Sequence, residues 1–210
     1  MKTLLNLGHL ILHGIKIQAY FIARLVTGGI LFGFFPALFG SYRILTKSIE
    51  DKVIYDFNFK NELKYFDKKE VVEINKIGYL YGVYLYVVVT SLNFSRGHIG
   101  IRPIHWLLVT ILLVAIASFI YTISIYTKYN LTIKQYVYQG FLCSITGIFE
   151  TIAIFLGMSI MLGLSLTLPV VGVFVSVPLM ILPHAWFGRT AVLRFVSVFY
   201  KVDEADKADK

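Results

Sequence analysis

Cysteine is nearly absent from this chain of 210 residues: Cys143 is the only one. A single thiol excludes an intrachain disulfide and a cysteine-rich metal site. Charge is scarce as well, at 15% of residues, against 57% hydrophobic. A soluble domain of this length has no core large enough to hide so much apolar surface, so composition makes the chain an integral membrane protein. Strict polar and apolar alternation is missing too; the apolar runs are continuous, which argues against a membrane β-barrel and for helices. No P-loop, Rossmann glycine fingerprint, HExxH or nucleophile elbow occurs. The apolar runs also hold no paired acids and no Ser/His/Asp or Cys/His set. We therefore expect no enzymatic activity and no cofactor.

What is present is +8 of net charge, with the basic residues placed in loops and tails among acids. Membrane orientation explains that placement better than nucleic-acid binding does. The expected architecture is an all-α polytopic bundle of about five membrane helices, one domain over residues 1–200, with a charged, solvated tail at 201–210. A partly amphipathic helix, MKTLLNLGHLILHGIK, leads in. The first span is expected over Gln18–Leu45, kinked or broken at Pro36. The segment Thr46–Lys76 mixes lysines, acids and aromatics and reads as an amphipathic cytoplasmic loop. Further spans are expected over Ile77–Phe94, Ile104–Tyr126, a fourth up to Leu164 after the interfacial stretch LTIKQYVYQG, and a fifth to Phe195 interrupted by Pro178 and Pro183. Placing the Arg43–Lys76 segment, Lys128, Lys134 and the C-terminal region inside puts fifteen of the twenty lysines and arginines there. That bias predicts a cytoplasmic C-terminus and an external N-terminus. Should Pro36 turn the first helix back before it spans, the N-terminus is inside.

One charge stands out. Between Lys134 and Arg189 only Glu150 is charged, and from Ile74 to Val202 it is the only carboxylate. An acid at membrane depth costs about 2.5–3.5 kcal/mol on insertion scales and calls for a partner, a wet cavity or a proton. Helical spacing sets Gln139, Cys143, Thr146, Glu150, Ala153 and Gly157 on one small and polar seam. Phe141, Ile145, Ile148, Phe149, Ile152 and Phe155 fall between them on the greasy side. Large apolar residues face lipid and small or polar ones face other helices, so Glu150 is expected to point into the bundle. Two roles fit. Glu150 pairs structurally, with Arg24, Arg43, Arg189, His105 and His184 as available partners, or it binds a polar solute, a cation or a proton.

Other patterns are weaker. Gly29, Gly33, Ala37 and Ser41 form a small-xxx-small seam, repeated by Gly78 and Gly82, and both predict close helix packing. Pro36 beside these glycines leaves carbonyls without donors, a break tolerated at membrane depth only under protein or beside a polar cavity. Tyr79, Tyr81, Tyr84 and Tyr86 crowd the second span; their rings and hydroxyls suit a sugar, but interfacial anchoring or packing is the more general explanation. His9 and His13 have metal-clamp spacing but no third ligand, so no metal is expected.

The stretch GILFGFFPALFGSYRILTK and the following DFNFKNELKYFDKKEVVEINKIGYLYG resemble the YesL-like family of bacterial membrane proteins. The residues that carry the resemblance are Gly33, Phe35, Pro36, Ala37, Arg43, Phe59, Asn75 and Gly78; Leu38 departs from the small polar residue usual there. The resemblance implies a helical inner-membrane protein with a role beside sugar importers. The leading expectation is thus a multi-pass protein that assists or performs uptake of a small polar solute, a saccharide by class. Glu150, Thr146, Gln139, Tyr81 and Tyr84 would contact that solute. The rival is a non-transporting protein that docks an importer or sensor subunit through its loop residues Phe57, Phe59, Lys60 and Lys64.

Overall fold

The computed structural model describes residues 2–50, 58–96 and 102–199. The tail at 201–210, and Tyr55, Phe57 and His98 of the two loops, lie outside the described residues. Among the described residues the chain is all-helical. The order is α1 (Lys2–Thr27), α2 (Ile30–Glu50), α3 (Phe59–Leu63), α4 (Lys68–Arg96), α5 (Arg102–Lys128), α6 (Ile133–Thr146), α7 (Ile148–Thr167), α8 (Pro169–Pro183), a π-helical turn (His184–Gly188) and α9 (Arg189–Phe199). Four segments are long and apolar enough to cross a membrane: Lys68–Arg96, Pro103–Lys128, Ile148–Thr167 and Pro169–Phe195. The expected fifth, Gln18–Leu45, is not one helix.

The chain turns back at Gly28 and Gly29 instead. Gly29 ends α1 with φ +67°, a left-handed conformation that glycine adopts without a Cβ penalty. From there α1 and α2 run antiparallel as a helical hairpin. A Cβ on Gly33 would stand 2.6 Å from the Leu25 carbonyl oxygen, a Cβ on Gly40 would collide with the Tyr20 hydroxyl, and Ser48 Oγ meets His13 Nε2 at 2.8 Å. The paired positions approach from opposite directions along the chain, which is the register of a hairpin. Gly33 therefore serves close packing as the spacing predicted, with the neighbouring helix of the same chain. Ala37 and Ser41 on that seam are fully buried.

Pro36 does not break α2, which runs through it. A proline inside a helix removes the N–H that would bond the carbonyl four residues back, here that of Phe32. The side chain of Asn75, at the start of α4, donates its Nδ2–H to the Phe32 carbonyl at 3.0 Å and replaces the missing donor. Asn75 is buried. Asn75 thus answers the carbonyl that Pro36 leaves without its helical donor. Asn75→Ala reopens the carbonyl and is expected to cost about 1–3 kcal/mol, read as a fall in the thermal unfolding midpoint of the detergent-solubilised chain. Asn75→Ala with Pro36→Ala should recover most of the loss.

The described residues gather into two compact units, those within 2–75 and 149–191 and those within 76–148 and 192–199. In the first, α1 packs on α2, α3 and α8, and α2 packs on α8 and the π-helical turn. α8 is kinked at Val175, whose φ of −143° is not helical. Gln18 of α1 stitches the kink: its Oε1 accepts from the Val177 N–H at 3.0 Å and its Nε2 donates to Ser176 Oγ at 3.4 Å. In the second unit α6 folds back on α5. The Tyr136 hydroxyl donates to the Tyr129 carbonyl at 2.7 Å and accepts from the Leu131 N–H at 3.0 Å, which closes the turn between them. A Cβ on Gly140 would stand 2.6 Å from the Ser118 carbonyl oxygen, so the two helices touch there.

Candidate functional site

Glu150 stands in the first turn of α7 and is half-buried. The expected fourth span is not continuous, because Gly147 separates α6 from α7. A carboxylate in a first helical turn is favoured by the unsatisfied N–H groups there. The break also divides the seam. Gln139 and Cys143 are buried on α6, while Ala153 and Gly157 are half-buried on α7. A Cβ on Gly157 would stand 2.7 Å from Pro183. Thr146 departs from the expected inward face: it is exposed, and its hydroxyl donates to the Leu142 carbonyl at 2.7 Å. Gln139 is 2% exposed and its Oε1 has no hydrogen-bond partner among the described residues. Of the six greasy residues, Phe141, Ile145, Ile148, Phe149 and Ile152 are exposed, whereas Phe155 is half-buried.

The five residues considered as partners of Glu150 each hold another group. Arg24 Nη1 donates to the Leu63 carbonyl. Arg43 pairs with Glu62, both buried, and its guanidinium lies 3.3 Å from the centre of the Tyr65 ring. These two arginines fix α3, and Tyr65 two residues beyond it, against the hairpin. Arg189 Nε lies 3.2 Å from Glu50 Oε1, an ion pair without hydrogen-bond alignment. His105 Nδ1 meets Ser95 Oγ at 2.9 Å, and His184 stacks on Tyr42 at 4.5 Å between ring centres. Glu62 and Glu50 were not legible as the acids of these pairs, because both lie in a segment where lysines and acids alternate.

The tyrosines of α4 separate by face. Tyr81 is buried, whereas Tyr79, Tyr84 and Tyr86 are exposed. The Tyr81 hydroxyl lies 2.7 Å from Ser118 Oγ and 2.9 Å from Thr122 Oγ1, both on α5. Thr122 Oγ1 donates to the Ser118 carbonyl at 2.9 Å. Thr122 has a single proton, so it accepts from Tyr81, which leaves Tyr81 to accept from Ser118. The three hydroxyls thus satisfy one another inside the second unit. Gly78 is buried, but Gly82 is exposed and a Cβ there would meet nothing within 4 Å, so no helix approaches at Gly82.

Beside this cluster, α4, α5 and α6 enclose a groove of about 540 Å³. Tyr81 and Ser118 stand at one wall, Tyr84 and Tyr138 offer exposed rings, and Lys134 supplies the charge. Leu80, Val114, Val137 and Phe141 complete a mainly apolar lining. Glu150, Thr146 and Gln139 do not line it. The structure therefore brings Tyr81 and Tyr84 together and leaves the other three expected contacts elsewhere. Ser118, Lys134 and Tyr138 were missed by sequence reasoning. The available signal was Ser118 and Thr122 at i, i+4 in an otherwise apolar helix, a hydroxyl pair on one face. Among the described residues no three His, Cys, Asp or Glu side chains gather as metal ligands; His9 is exposed and His13 faces Ser48. No family model, no curated protein and no solved structure matches this chain.

Proposed function

We propose that this chain is a multi-pass protein of the bacterial inner membrane that assists or performs uptake of a small polar solute, a saccharide by class. The observation that carries the reading is the groove: its volume of about 540 Å³ falls in the roughly 300–1,000 Å³ range of small-molecule sites. It sets two exposed tyrosine rings beside a serine hydroxyl and an ammonium, the groups that stack on a sugar face and bond its hydroxyls. The resemblance to YesL-like proteins supports a role beside sugar importers. In this reading the basic segment before α4 and the C-terminal region are cytoplasmic by their lysine and arginine excess. The α1–α2 hairpin supports an N-terminus on that same side, the alternative in which the first helix turns back before it spans.

Tyr84→Ala and Ser118→Leu are the test. Tyr84→Ala is expected to reduce uptake of labelled oligosaccharide in cells by up to about tenfold, in line with the loss of one aromatic contact, and Ser118→Leu should reduce it by removing a hydroxyl of the lining, both at unchanged protein level. Normal uptake in both variants removes the proposal. The docking rival has its own support, since Lys60, Lys64 and Phe59 are exposed on or beside an α3 that two arginines hold in place. That reading predicts that Phe59→Ala with Lys60→Glu releases a co-purifying importer subunit while Tyr84→Ala changes nothing.

A further inference from the structure

Residues 76–148 contain Lys76, Arg96, Arg102, Lys128 and Lys134 but no aspartate or glutamate. The lining residues of the groove all fall in this stretch, so no carboxylate stands among them. Lys134 is the one charged residue of the lining; it is exposed and makes no ion pair among the described residues. Beside the groove, Val83 and Val87 are exposed on a helix apolar enough to span. At membrane depth such a surface faces acyl chains, so the groove opens toward lipid. Along α6 the lining runs from Lys134 through Tyr138 to Phe141, about 10 Å of helix out of the roughly 15 Å that one leaflet provides. On α6 the lysine stands at one end of the lining and the Tyr138 and Phe141 rings follow it, the order of a charged head group and the apolar region beneath it.

We infer that the groove takes an anionic lipid from the bilayer, with its acyl chain along Leu80, Val114 and Phe141 and its phosphate at Lys134. The inference rests on the groove being the uptake site, and it names the form in which a polar solute reaches it: as the head group of an anionic lipid. A free neutral sugar would leave the apolar wall uncovered and Lys134 unanswered.

Native mass spectrometry of the full chain in neutral detergent tests this. Phosphatidylglycerol and phosphatidylcholine of identical chains are titrated in, with free maltose as a third arm. Phosphatidylglycerol should occupy one site about fivefold more tightly than phosphatidylcholine, the effect of one lysine near an anionic head group. Lys134→Gln should erase that preference, and Val137→Phe, which fills the groove, should weaken both lipids. Equal binding of the two lipids to the native chain, or a preference that survives Lys134→Gln, overturns the inference. If Val137→Phe abolishes maltose binding and leaves phosphatidylglycerol untouched, the groove is an open sugar site: the lipid falls and the uptake reading stands. If Val137→Phe changes neither ligand, both fall.

Discussion

Glu62→Ala is expected to destabilise the chain by about 3–5 kcal/mol, the cost of leaving a buried charge without its partner. Glu62 and Arg43 are each 7% exposed at the side chain, and Tyr65 covers the guanidinium face. Removing the carboxylate leaves Arg43 where water cannot replace it. The measurement is the unfolding midpoint of the full chain in detergent, followed by far-ultraviolet circular dichroism. Arg43→Met with Glu62→Leu should recover most of the loss, because an apolar pair of similar volume avoids desolvating two ions. A loss below about 1 kcal/mol for Glu62→Ala, the range of an exposed pair, would place the pair in water and undo this account of how α3 is held.

Gly33→Ala is the second large effect. Its Cβ would stand 2.6 Å from the Leu25 carbonyl oxygen and 2.8 Å from that of Arg24. Both obstacles are backbone, so no rotamer change relieves them and the hairpin must open. Overpacking of this kind costs about 1–3 kcal/mol, and the added methyl acts where α1 and α2 come closest. Gly82→Ala is the control, since nothing lies within 4 Å of its Cβ. It should be neutral or stabilise by up to about 1 kcal/mol through helix propensity. Equal effects at the two glycines in the same unfolding assay would sink the assignment of Gly33, and not Gly82, to a helix contact.

The contrast between these glycines shows where sequence reasoning stopped. Both belong to small-xxx-small patterns, and the spacing describes a surface on which a helix could rest. Whether one rests there depends on the rest of the chain. The same limit applied at Pro36. Its ring predicts a lost hydrogen bond, and the bond is lost, but Asn75, far along the chain, supplies another donor. The turn moved to Gly29, where a left-handed backbone leaves the helix at little cost.

The candidate site followed the same division. Tyr81 and Tyr84 were legible because four tyrosines crowd one apolar helix, and their rings and hydroxyls carry chemistry. Lys134 was legible only as a loop charge, and Ser118 only as a small residue; their place beside α4 depends on α6 folding back over α5. Glu150 drew attention as a lone acid, yet the groove forms without it.

Composition alone decided the class of this protein. With 57% hydrophobic residues, the cost of hydrating those side chains favours a membrane environment, and four helices are long and apolar enough to span one. Helical periodicity decided only part of the Glu150 segment: Phe141, Ile145, Ile148, Phe149 and Ile152 are exposed as local spacing requires, but Gly147 interrupts the helix and Thr146 leaves the inward seam. The hairpin, the Arg43–Glu62 pair and the three-helix groove belong to the folded chain. Each joins residues far apart in sequence, and its energy comes from desolvation and close approach, which exist only once the helices pack.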